Sequence, residues 1–183
     1  MGPEEKEKLR LLEADLKEMG STQGVTQLKF LREKFESLTD VLKRRLSAGE
    51  LTYGRYLGTA EQVYLSAVDN LNDLTVSLKS VSSIHPGYIN KRLKELGNSS
   101  EAPAEKKREI ASLEKRLSLR DEQLKRVSEL LAQNESAMTA LDHTASAMAE
   151  TRTGKGEADM DAEAAMAELE MLANRASKYS STG

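Results

Sequence analysis

Apolar residues return every three or four positions along this chain, and through two long stretches they do so without slipping phase. The first series is Tyr53, Leu57, Ala60, Tyr64, Ala67, Leu71, Leu74, Leu78 and Val81. The second is Ile110, Leu113, Leu117, Arg120, Leu124, Val127, Leu131, Asn134, Met138, Leu141, Ala145 and Met148. A repeat averaging about 3.5 residues keeps one edge of an α-helix against a partner helix. Shorter series predict further helices: Leu9, Leu12, Leu16 and Met19; Leu28, Leu31, Phe35, Leu38 and Leu42; and Ala158, Ala162, Ala165, Leu169, Leu172, Ala176 and Tyr179.

Proline and glycine set the limits. Pro3, Pro86 and Pro103 each suit the first turn of a helix, where a missing N–H costs nothing, and 4–85 and 104–183 contain no other proline. Gly20 suits a left-handed C-cap. The pattern predicts helices over about 4–19, 25–47, 51–83, 87–96, 104–150 and 157–178, with loops at 97–103 and 151–156. Near 47–52 the seam changes phase, and Ser47 with Glu50 reads as a capping box. A turn is favoured there, with one continuous helix as the other reading. The expected fold is all-α: a single unit over 1–183, an elongated antiparallel helical hairpin or bundle with coiled-coil heptad seams, helix 51–83 lying against 104–150.

Composition agrees with that class. Aromatic residues make up 4% of the 183, charged residues 31%, and there is no tryptophan. So few aromatic anchors fit long amphipathic helices better than a compact mixed core. The formal charge of −3 comes from 27 basic and 30 acidic side chains, mixed in sign throughout. Nucleic-acid binding concentrates positive charge on one face, so it is not expected here. The short basic runs 43–45, 91–92 and 106–108 read as solvated helix faces. The absence of cysteine excludes disulfides, thiolate catalysis and cysteine zinc sites. No apolar run is long enough for a membrane span, and no secretory signal opens the chain, so a cytoplasmic location is expected.

Candidate chemistry is sparse. His85 precedes a proline at a helix junction and His143 lies off the seam; neither has the spacing of a metal-binding pair. Glu157, Asp159, Asp161 and Glu163 open the last helix, where carboxylates meet the positive end of the helix dipole. The 154–156 segment, Gly-Lys-Gly, lacks the phosphate-loop pattern. No catalytic residue, metal ligand or cofactor is expected. Arg120 and Asn134 stand on the seam where apolar residues belong. Either they fix register against polar groups on a partner helix, or the seam faces solvent there and Arg120 snorkels along its aliphatic stem. Five of the seven methionines, at 138, 148, 160, 166 and 171, lie in the final third and read as gap filling among alanines, or as an adaptable contact surface. Gly54 and Gly58 suggest close helix packing or a flexible joint, beside an aromatic cluster of Tyr53, Tyr56 and Tyr64.

These features lead to a non-enzymatic coiled-coil scaffold or adaptor, forming a homo-oligomer and binding another protein. Its interaction seam is Tyr53, Leu57, Tyr64, Leu71, Leu78, Ile110, Leu117, Leu124, Leu131 and Met138, with Arg120 and Asn134 as specificity candidates. In outline, long proline-free helices in a hairpin followed by shorter helices resemble the ESCRT-III and phage-shock-protein A class. The resemblance implies a peripheral protein that remodels or protects membranes, with the membrane surface as partner. No strongly basic amphipathic N-terminal helix accompanies it. A metal-binding or catalytic helical bundle is the third reading.

Overall fold

The computed structural model describes residues 1–47, 49–97, 100–151 and 156–180, the last stretch with side chains over 160–175. Its described residues form six α-helices: α1 (Pro3–Glu18), α2 (Thr22–Arg45), α3 (Leu51–Ser80), α4 (Pro86–Leu96), α5 (Ala104–Glu150) and α6 (Gly156–Ser180). No strand occurs among them. The protein is all-α.

Local chemistry explains the ends. Pro3 and Pro86 occupy the first turns of α1 and α4. Gly20 and Gly97 follow α1 and α4 at φ 74° and 67°, the left-handed region that costs glycine nothing. Ser21 caps α2, its Oγ accepting from the Gly24 N–H at 3.1 Å. Between α2 and α3 the chain breaks: Leu46 is extended at φ −125°, and the Glu50 N–H donates to the Ser47 carbonyl at 3.0 Å. The Ser47 N–H donates back to the Glu50 carboxylate at 3.3 Å, so this pair closes a turn ahead of α3. The two helices are therefore separate.

Contacts divide the chain into two compact units, one of residues 1–72 and 130–183, the other of 73–129. The first is a helical bundle. Leu12 and Leu16 of α1 and Leu28, Leu31, Leu38 and Leu42 of α2 are buried, as the 3-4 spacing predicts, and α1 packs on α2. Phe35 stacks on Tyr64 with ring centroids 5.1 Å apart, joining α2 to α3. In α5, Leu130, Asn134, Ala137, Met138, Ala140, Leu141, Thr144, Ala147 and Met148 are all buried. A single heptad edge cannot bury neighbours such as 137 with 138 and 140 with 141. This half of α5 has helices on more than one side. Gln27 donates to the Leu131 carbonyl at 3.0 Å, Arg45 donates to the Ala149 carbonyl at 2.6 Å, and Lys34 pairs with Asp142, all from α2. Glu168 of α6 lies 3.2 Å from His143 Nδ1.

The second unit has its own small core. Ile89 and Leu96 of α4 pack with Ile110 and Leu113 of α5, bordered by Ile84, Leu93 and Leu117. Across its surface Arg92 donates to both carboxylate oxygens of Glu109, at 2.6 and 3.1 Å. Arg126 and Asp73 form an exposed pair at 3.7 Å.

Candidate interaction surfaces

Asn134 is the most completely buried polar side chain on the α5 seam, at 0% exposure. Its Nδ2 donates to the Ala67 carbonyl at 3.1 Å, and its Oδ1 accepts from Asn70 at 3.0 Å. The polar groups it meets belong to α3 of the same chain. Arg120, the other candidate, lies in the second unit, half-buried, with no ion pair or hydrogen bond among the described residues.

Among the expected seam residues, Tyr64, Leu71, Ile110 and Met138 are buried. Tyr53, Leu57, Leu78, Leu117, Leu124 and Leu131 are half-buried. Burial is thus deepest where the bundle surrounds α5 and shallowest over 117–127. Gln27, off the seam by one position, is buried as well, its amide donating to the Leu131 carbonyl and to Glu135 at 3.0 Å. Only the placement of α5 beside α2 makes it internal, which one-dimensional spacing does not encode.

Polar side chains link α3 to α6. Tyr56 is buried and donates its phenolic hydrogen to Glu163 at 2.9 Å. Burial first, then that hydrogen bond, pushes the phenol up to about 12. Arg55 pairs with Glu170 at 2.7 Å, which raises its already high pKa, and its guanidinium lies 5.9 Å from the Tyr56 ring centre. A cation over a tyrosine face adds a modest attraction.

A groove of about 620 Å³ opens along α1, α2 and α3 in the first unit. Leu9, Phe35, Tyr64, Leu65 and Val68 give it an apolar lining; Glu5, Glu36, Asp40, Glu61 and Asp69 outnumber Lys8, Arg32 and Lys43 around it. The Tyr64 hydroxyl is buried there without a hydrogen-bond partner, and burial raises its pKa. Leaving such a group unpaired costs about 1–3 kcal/mol, more than an exposed hydroxyl would.

Several large apolar side chains lie outside both cores. Leu51 is 94% exposed and Leu65 49% on α3; Met160 is 73% and Met171 57% exposed on α6. Gap filling thus describes Met138, Met148 and Met166, which are buried, and not the other two. Gly54 and Gly58 do not mark a close intrachain approach: a Cβ built at either meets nothing within 4 Å. His85 is exposed at the N-cap of α4 with no side-chain cap bond, and His143 is exposed beside Glu168. Of the acidic set at the start of α6, Asp161 and Glu163 are exposed, whereas the side chains at 157 and 159 lie outside the described residues, as do those of Ala158, Ala176 and Tyr179. No group of three or more metal-ligating side chains gathers among the described residues. None of their helices is long and apolar enough to cross a membrane.

Comparison with protein-family models, curated proteins and solved structures finds no match.

Proposed function

We propose that this chain is a non-enzymatic helical scaffold that associates with itself and with another protein through helix faces. The observation that carries this reading is the set of large apolar side chains left in solvent on highly charged helices, Leu51 and Leu65 on α3 and Met160 and Met171 on α6. Apolar residues aligned along an exposed helix face are typical of protein contact surfaces.

An antiparallel pairing of α3 with α5 along heptad seams is part of the proposal. Between α2 and α5 the paired residues rise together, 27 with 131, 34 with 142 and 45 with 149. The short 46–50 turn returns the chain so that Tyr64 stacks on Phe35. That sequence of contacts supports α3 running opposite to α2, and so opposite to α5. Asn134 in this reading fixes the α3–α5 register inside the chain, leaving association to the outer faces.

Size-exclusion chromatography with light scattering, with and without anionic liposomes, tests the proposal. A discrete oligomer, with a mass that is a multiple of 20.2 kDa and unchanged by lipid, is the expected result. A chain that stays monomeric at every attainable concentration, or one that coats and deforms the liposomes, would overturn it.

A further inference from the structure

We infer that α1 is a hinged flap, anchored at its C-terminal end and able to swing its first two turns off the Phe35–Tyr64 pair.

The two halves of α1 are held differently. Leu12 and Leu16 are buried, and the Leu16 side chain comes so close to α2 that a Cβ at Gly24 would lie 2.8 Å from it. Gly20, at φ 74°, and the Ser21 cap then turn the chain into α2. At the other end Leu9 is half-buried and every residue from 3 to 8 is exposed. Polar side chains of α1 bond within α1: Glu5 accepts from the Gly2 N–H at 3.2 Å, Arg10 pairs with Glu7 at 2.6 Å and Lys17 with Glu13 at 3.1 Å. Among the described residues none of them reaches another helix. Local bonds keep the helix formed, and only apolar contacts near its C-terminal end fasten it.

Two grooves flank the loose end. One of about 750 Å³ runs along the Lys6, Arg10 and Glu13 edge of α1, and the other, of about 620 Å³, along its Glu5 and Lys8 edge. Leu9 and Tyr64 line both, so they stand at the partition between the two.

Closure has a cost that opening removes. Tyr64 is 6% exposed, and its hydroxyl is shut away from water with no hydrogen-bond partner. A polar group left unpaired in the interior has lost its hydration without replacement. Lifting Leu9 admits water to that hydroxyl and joins the two grooves into one cleft over Phe35 and Tyr64. What opening gives up is the packing of Leu9, and a half-buried leucine has only part of its apolar area to lose. Gain and loss oppose each other closely, so α1 populates both positions. Local opening falls where buried apolar contacts are few, as they are along residues 3–9.

Double electron–electron resonance on the full chain tests the flap. The chain has no cysteine, so spin labels attach only where thiols are introduced. Excess unlabelled protein suppresses distances between copies, which makes the outcome independent of self-association. The flap pair is Lys8→Cys with Ser136→Cys, from α1 to α5. The control pair is Ser37→Cys with Ser136→Cys, because Gln27 and Lys34 tie α2 to α5. All three sites are exposed. The flap pair should give two distances and the control pair one. Tyr64→Phe removes the unpaired hydroxyl and should lower the ratio of open to closed by about tenfold. Leu9→Asp should raise it by at least about tenfold, with helix content by circular dichroism unchanged in both. A single flap distance, the same in the parent, Tyr64→Phe and Leu9→Asp proteins, would overturn the hinge, as would a control pair that splits along with it. Two distances whose ratio ignores Tyr64→Phe would overturn the hydroxyl as the cause of opening.

Discussion

Asn134 and Tyr56 place polar groups inside helix contacts, and the geometry of each decides what its loss does. Asn134 donates to a carbonyl that helix α3 already satisfies and accepts from Asn70, which also reaches Gln133 at 3.3 Å. Replacing it with leucine leaves no buried group wholly unpaired, so Asn134→Leu should be neutral or raise stability by up to about 1 kcal/mol. Asn134→Asp sets a carboxylate against the Ala67 carbonyl and should cost at least about 2 kcal/mol at neutral pH. Burial raises that carboxyl's pKa in the folded state, so the cost should vanish below the unfolded value of about 4 and grow as pH rises through it. Urea titrations of both variants at pH 3.5 and 7 check this; equal cost at both pH values would refute it. Tyr56 titrates in the opposite regime. Its folded pKa is about 12 against an ordinary 10.0, so its contribution is complete below pH 10 and is lost as pH climbs through the folded value. Tyr56→Phe should lose about 1–2 kcal/mol below pH 10 and show a shallower fall in Tm between pH 10 and 12. Tyr64, whose phenol is raised first by burial, contributes to the slope that remains. Parallel Tm curves for the two proteins would exclude the Tyr56 phenol as a source of that fall.

At the scale of elements, glycine shows how much depends on what stands opposite. A Cβ at Gly24 would lie 2.7 Å from Ser21 Oγ and 2.8 Å from a Leu16 methyl. Gly24→Ala therefore forces the Ser21 cap and the fully buried Leu16 side chain to shift, and overpacking of about 1–3 kcal/mol should exceed the helix-propensity gain of about 1 kcal/mol. Gly87 in the first turn of α4 faces open space, so Gly87→Ala should stabilise by about 0.5–1 kcal/mol. Thermal melts of the two variants should move in opposite directions; a shift of the same sign would contradict the α1–α2 packing. The helices themselves were legible in the sequence because 3-4 spacing, three prolines and two left-handed glycines mark core and ends independently. The second buried stripe of α5 was not. Ala137, Ala140, Thr144 and Ala147 are small or polar and resemble a surface pattern, and they are internal only because other helices flank α5. The Gly54–Gly58 pair meets no close neighbour within the chain, and spacing alone cannot say whether such a notch faces a neighbour or water.

For the whole molecule, all-α class followed from composition and period, but which apolar residues lie outside the cores depends on how the helices surround one another. Methionines report this directly. Met138, Met148 and Met166 are buried, whereas Met1, Met160 and Met171 are exposed. Sulfoxide formation follows access of the oxidant to sulfur, so dilute peroxide should modify the exposed three at least about tenfold faster than the buried three, as read by peptide mass spectrometry. Met160 and Met166 are six residues apart on one helix, which makes them an internal control for α6. Comparable rates at these two would mean that α6 does not pack on the bundle, and the Tyr56–Glu163 and Arg55–Glu170 contacts would fall with it.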